Sequence, residues 1–211
     1  AAADKVAAQI TSKGGHAVVI KADVANERDI ERLFSETARL LGSLDVLVNN
    51  AGVLETQSKL EQMSIDRFRR IFDTNVIGPF LCAREAIKYM SVNRGGSGGV
   101  IVNVSSIAAI TGSPNEYVDY AASKGALDSF TIGLSKEVAA EGIRVNAVRP
   151  AFIYTDIHSD GGEPDRIDRI KDSIPLKRGG TAQEVAEAIL WLASEKSSYC
   201  TGAFINVSGG K

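Results

Sequence analysis

Three nearly unbroken apolar runs constrain this chain more than any other feature: "LDVLVNNAG" at residues 44–52, "VIVNVSS" at 100–106 and "IRVNAVRPAF" at 143–152. Each is short, rich in Val and Ile, and stopped by Asn, Ser, Gly or Pro, so each reads as a strand. A strand that is apolar at successive positions has no side to give to water, and such strands belong to a parallel sheet covered on both faces. The intervening segments can supply the cover. Asn26 opens "NERDIERLFSETARLLG", in which Ile30, Leu33, Phe34, Ala38 and Leu41 recur at helical spacing. Further helices are predicted from about Ser64 to Met90 and from about Tyr117 to Ala140, and Thr181 and Glu184 have capping-box spacing at the head of "TAQEVAEAILWLAS". A helix over residues 1–10 stopped by Gly14-Gly15, a strand "HAVVIKADV" at 16–24 and a closing strand "GAFINVSGG" complete the alternation. The expected architecture is α/β: a doubly wound, Rossmann-like parallel sheet forming a single domain. "GGSGG" at 95–99 precedes a strand, where a phosphate loop must follow one, and reads as a flexible connector.

Composition narrows the partner. A net charge of -2 in 211 residues makes no electrostatic case for nucleic acid, and no apolar run approaches the roughly 20 residues of a membrane span. Cys82 and Cys200 form neither a CxxC pair nor a metal-ligand cluster, so they read as idle thiols in a reducing, cytoplasmic compartment, with no metal site expected. The expected ligand is a small molecule.

Ligands of doubly wound sheets sit at the carboxyl ends of the strands, so the polar residues there are the candidates. They are Asp23 and Val24, then Asn49, Asn50, Ala51 and Gly52, then Ser105 and Ser106, then the run from Pro150 through Ala151 and Ile153 to Thr155. On the predicted helix between Ser106 and Pro150, Tyr120 stands four places before Lys124, alone in this among the five tyrosines. Residues at that spacing share a helix face about 6 Å apart, which suits an acid and its tuner and equally suits two helical neighbours. Alone, Ser106 reads as a serine capping a turn, Asn75 as a surface residue, Asp23 as a loop cap, and His16 and His158 as surface residues.

Taken together, "NNAG", "TNV", the serine pair, "YAASK" and the Pro150–Thr155 turn occur in the order of the short-chain dehydrogenase/reductase family. The chain resembles that family from Ala1 to Lys211, closest to its NAD(P)-dependent glucose dehydrogenase-like group of sugar dehydrogenases and ketoreductases. The resemblance implies an oxidoreductase that interconverts a secondary alcohol or sugar hemiacetal with a carbonyl; the rival is a nucleotide-sensing protein without turnover. It implies Tyr120 as acid/base, Lys124 as its electrostatic partner and a ribose contact, Ser106 as the substrate-orienting hydroxyl, and Asn75 as the fourth member, holding a water in a kinked helix. For NAD or NADP, with the choice left open, it implies contacts from Asp23, Val24, Asn50, Ala51, Gly52, Tyr120, Lys124, Pro150, Ala151, Ile153 and Thr155. It further implies a substrate lid at 154–180, a homotetramer or homodimer, and a glycine-rich strand-helix-strand unit ahead of Ala1. Two departures stand out. Ser106 and Tyr120 are fourteen residues apart, one more than usual, and Ala151 replaces the family's glycine, which would strain a turn that needs positive φ.

Overall fold

The computed structural model describes residues 2–211. Four parallel strands form the sheet in the order β1 (Val46–Asn49), β2 (Gly99–Val104), β3 (Ile143–Pro150) and β6 (Phe204–Val207). Register is continuous: Asn49 lies beside Asn103, Asn103 beside Ala147, and Ala147 beside Phe204. On one face lie α2 (Glu27–Leu41), α4 (Gly78–Met90) and α6 (Val118–Glu137), whose Phe34, Ala86 and Leu134 pack with Ile101 and Val145. The other face carries α9 (Ala182–Ala193), which brings Val185 and Leu192 onto Val100, Val102 and Val148. Successive strand residues thus enter opposite cores, which is why β2 is apolar at nearly every position and β3 at Ile143, Val145, Ala147 and Val148.

The sequence punctuation acts as expected at most helix ends. Asn26 caps α2 by accepting from the backbone N–H groups of Arg28 and Asp29. Thr181 and Glu184 form the reciprocal capping box of α9. The N-terminal helix, α1, spans Ala2–Ser12; Ala1, within the predicted helix, lies outside the described residues.

Three expectations are corrected. Residues 16–24 make no strand. β-branched residues make a segment strand-competent, whereas a ladder needs a neighbour, and these residues find none among the described strands. Side chains of α2 hold the segment instead: Asp29 accepts from the Asp23 N–H at 2.9 Å, and Arg32 donates to the Lys21 carbonyl at 2.6 Å. Second, the 95–99 run is a tightly packed turn. Gly98 has φ +84°, and a Cβ on Gly96 would stand 2.4 Å from the Tyr89 carbonyl oxygen. Third, the predicted 64–90 helix is interrupted. α3 (Ile65–Phe72), capped by Ser64, and α4 are joined by one π-helical turn, Asp73–Ile77.

After β3 the chain makes the two-residue β4 (Ile153–Tyr154), short helices α7 (Ile157–Asp160) and α8 (Arg166–Ile170), and β5 (Gly180–Thr181), which pairs with β4 in parallel. A short α5 (Ala108–Thr111) follows β2, and no helix among the described residues is long and apolar enough to cross a membrane.

Candidate active site

The carboxyl ends of β2 and β3, the first turns of α6 and the segment after β4 enclose a cavity of about 450 Å³. Ser106, Tyr120 and Lys124 line it together with Asn50, Gly52, Pro150, Ala151, Ile153 and Thr155. Most of the predicted site residues therefore meet at one place.

Lys124 is 4% exposed, and its Nζ donates to the Val104 carbonyl at 2.8 Å, the last acceptor of β2. Its ammonium lies 5.6 Å from the centre of the Tyr120 ring. Burial pulls the Lys124 pKa down to about 8, with Asp128 one turn further along α6 acting in the opposite direction. Burial likewise pushes the Tyr120 phenol above its usual value, and Ser106, hydrogen-bonding to it, works against that rise. One hydrogen of the Lys124 ammonium goes to a backbone carbonyl, and the group hydrogen-bonded to the phenol is Ser106.

Ser106 serves two ends. Its Oγ accepts from the Ala108 N–H at 3.1 Å, as a turn cap does, while its own hydrogen lies between a long 3.4 Å contact to the Pro150 carbonyl and the Tyr120 phenol. Between Ser106 and Tyr120 the chain turns through Gly112, Ser113 and Asn115, all at positive φ. Ala151 is not among the residues with positive φ, so the strain foreseen there does not arise, and its N–H donates to the Val207 carbonyl at 3.1 Å.

Asn75 is fully buried, which the sequence did not indicate. The π turn rotates it inward, where Oδ1 accepts from the Val53 N–H at 2.8 Å and Nδ2 donates to the Val53 carbonyl and to Ser123 Oγ. Both Nδ2 hydrogens are committed, so only Oδ1 can receive a further donor. Asn75 thereby fixes the backbone that follows Asn50, Ala51 and Gly52. Asp23 and Val24 lie outside the cavity: one Asp23 oxygen accepts from the Ala25 N–H at 2.9 Å, and Val24 packs against Gly78.

The roles of several supporting groups went unread in the sequence. Asn49 Nδ2 donates to Asn103 Oδ1, and Asn103 Nδ2 to Thr131 Oγ1, each at 2.9 Å, a buried chain tying β1 through β2 to α6. Arg67 forks onto Asp119 at 2.6 and 3.1 Å beside Tyr120, and also donates to the Thr56 carbonyl. A mid-strand asparagine within an apolar run was the available signal for the first. Nothing local signalled the second, whose partners are 52 residues apart. His158, expected at the surface, is half-buried in the cavity wall.

Comparison with known proteins agrees with this geometry. The family model described as enoyl-(acyl carrier protein) reductase matches residues 1–211. An uncharacterized oxidoreductase, YgfF, of Escherichia coli is 56% identical over 210 residues, covering 100% of this chain and 85% of that protein. Glucose 1-dehydrogenase 2 of Bacillus subtilis is 37% identical, with 99% of this chain and 80% of that one covered. A 3-ketoacyl-(acyl-carrier-protein) reductase from Brucella melitensis, crystallised with NADH, superposes with a TM-score of 0.90 at 33% identity, covering 99% of this chain and 82% of that one. The chain belongs to the short-chain dehydrogenase/reductase family of oxidoreductases.

Proposed function

We propose that this chain interconverts a secondary alcohol, or sugar hemiacetal, and a carbonyl with NAD or NADP, using Tyr120 as the acid/base. The observation that carries the reading is the convergence of Tyr120, Ser106 and Lys124 on one cavity at the carboxyl ends of the strands. The residues present fit a dinucleotide. Lys124 has hydrogens left for ribose hydroxyls after its single bond to Val104. Gly52 leaves room that a Cβ would take, 3.4 Å from Asn75 Oδ1 and 3.5 Å from Lys124 Nζ. Asp23 keeps one carboxylate oxygen for an adenine amino group while Val24 offers an apolar contact. Asn50, Pro150, Ile153 and Thr155 line the cavity and complete the expected contacts there, while Ala51, between Asn50 and Gly52, is not among the lining residues.

When bound, the nicotinamide supplies or accepts the hydride. The chain's own work is at the oxygen. With its pKa raised, the Tyr120 phenol holds its proton at neutral pH and donates it to a carbonyl oxygen during reduction. Ser106 turns its hydrogen to the same oxygen and stabilises the negative charge that develops there. Asn75 positions the Val53 backbone, and its Oδ1 can hold a water on the proton path from Lys124. The segment 154–180 acts as a lid, and the exposed Phe72, Phe80 and Ile132 on the α3–α4 and α6 surfaces pair two or four copies of the chain. Proteins related to this one are named for both sugars and acyl carriers, and the polar lid favours a small hydroxylated substrate. The test is a carbonyl and alcohol screen, monitored by NADH and NADPH absorbance, on wild type and Tyr120→Phe. Turnover should fall about a hundred- to ten-thousand-fold with cofactor affinity kept; a variant within tenfold of wild type would refute the assignment.

A further inference from the structure

Among the groups around the cavity, His158 is a ring base whose chemistry the proposed reaction does not use. It sits on α7, in the wall shared with Tyr120 and Ser106. Its Nδ1 is enclosed by protein without a close hydrogen-bond partner, which leaves Nε2 as the nitrogen on the accessible side of the ring. Burying a ring nitrogen unpaired costs free energy, and such a cost persists where the other nitrogen has a task.

We propose that His158 selects the substrate, its cavity-facing Nε2 accepting a hydrogen bond from a hydroxyl next to the reacting carbonyl. Three observations agree. Burial, and after it the Arg166 guanidinium, hold the imidazole below its ordinary pKa, outweighing the Ile153 backbone and Glu163, so the ring is neutral at pH 7 and keeps one acceptor. With Nδ1 shut in by protein, Nε2 is the ring nitrogen left to meet a ligand, and in the tautomer that protonates Nδ1 it carries the lone pair. That wall combines Ile153, Ile157, Val185 and Ile189 with Thr155 and Asp160, and at the ring itself the choice is simple: a hydroxyl placed against it is satisfied, and a methyl leaves the nitrogen dry.

The proposal rests on the oxidoreductase reading, and its test separates the two. Butanone and its hydroxylated analogue acetoin are reduced with NADH and with NADPH by wild type, His158→Leu, His158→Asn and His158→Gln. Wild type should prefer acetoin in kcat/KM by about tenfold. In His158→Leu that preference should shrink to within about twofold, and His158→Gln, which returns an acceptor at the reach of Nε2, should recover part of it. His158→Asn is too short for that reach and gives the same loss should leucine disturb the fold. Wild-type turnover indifferent to the hydroxyl, or a preference intact in both His158→Leu and His158→Asn, would overturn the role of His158 alone. Reduction of no carbonyl of any kind by wild type would overturn the oxidoreductase reading, and this proposal with it.

Discussion

Removing the Arg67 side chain should cost more stability than any other single change near Tyr120. The Asp119 side chain is 1% exposed and Arg67 10%, so the pair is shielded from water and salt. Arg67 is also the clamp between three pieces of chain: it grows from α3, holds the carboxylate at the start of α6 and donates to the Thr56 carbonyl at 2.6 Å. Arg67→Met keeps most of the aliphatic stem and deletes the charge, which strands a buried carboxylate with two unsatisfied oxygens. Breaking a buried pair in this way costs about 3–5 kcal/mol, against about 5–15 kcal/mol of total stability for a typical domain. The double variant Arg67→Met/Asp119→Leu removes the stranded charge as well and should regain most of that loss. Urea unfolding of the four proteins of the cycle gives the coupling directly. A loss below about 1 kcal/mol in Arg67→Met would show that water reaches Asp119 and that the pair behaves as a surface one. Losses that simply add in the double variant would show that the two side chains do not act as a unit. Because Asp119 immediately precedes Tyr120, turnover in Arg67→Met should fall further than cofactor affinity.

Four other outcomes follow from particular contacts. Gly78→Ala places a Cβ 2.9 Å from the Val24 carbonyl oxygen; helix propensity gains about 1 kcal/mol, overpacking costs about 1–3 kcal/mol, and NAD(P) affinity measured by fluorescence titration should fall. A more stable variant with unchanged affinity would detach Val24 from the cofactor. For Lys124 the folded pKa of about 8 lies below the ordinary 10.5, so between those values the unfolded chain holds more protons. Wild-type stability relative to Lys124→Met should therefore rise with pH from about 8 to 10.5, and a flat difference across that window in urea midpoints would contradict a buried ammonium. Hydrogen exchange at residues 156–175 should slow on adding cofactor and substrate, whereas equal exchange in both states would make the proposed lid a fixed loop. Light scattering at micromolar concentration should give a dimer or tetramer; a monomer would leave Phe80 and Ile132 without the proposed partner.

The sheet was legible because its information is local. A run such as "VIVNVSS" carries its own burial on both faces, and its closing serines mark its carboxyl end. Parallel strands bring those ends to one edge, so candidate residues chosen at Asn50, Gly52, Ser106, Pro150 and Thr155 had to meet once the topology was right. Segment 16–24 failed for the complementary reason. Composition shows that a segment can pair, and only a neighbour makes it do so.

Within the site, what stayed unread depends on where polar groups find partners across the fold. Asn75 reads as a surface residue in a helix of regular pitch; one inserted π residue turns it onto Val53 and buries it. The spacing of Lys124 and Tyr120 left tuner and helical neighbour equally open, and it could not show that the carbonyl at the end of β2 accepts from the ammonium. A buried ammonium needs an acceptor, and the backbone supplies one. That bond holds the charge of Lys124 in place before any ligand arrives. Its remaining hydrogens are left for the proposed ribose contact, and the Tyr120 phenol, its pKa raised by burial, keeps the proton that the proposed reduction of a carbonyl would use.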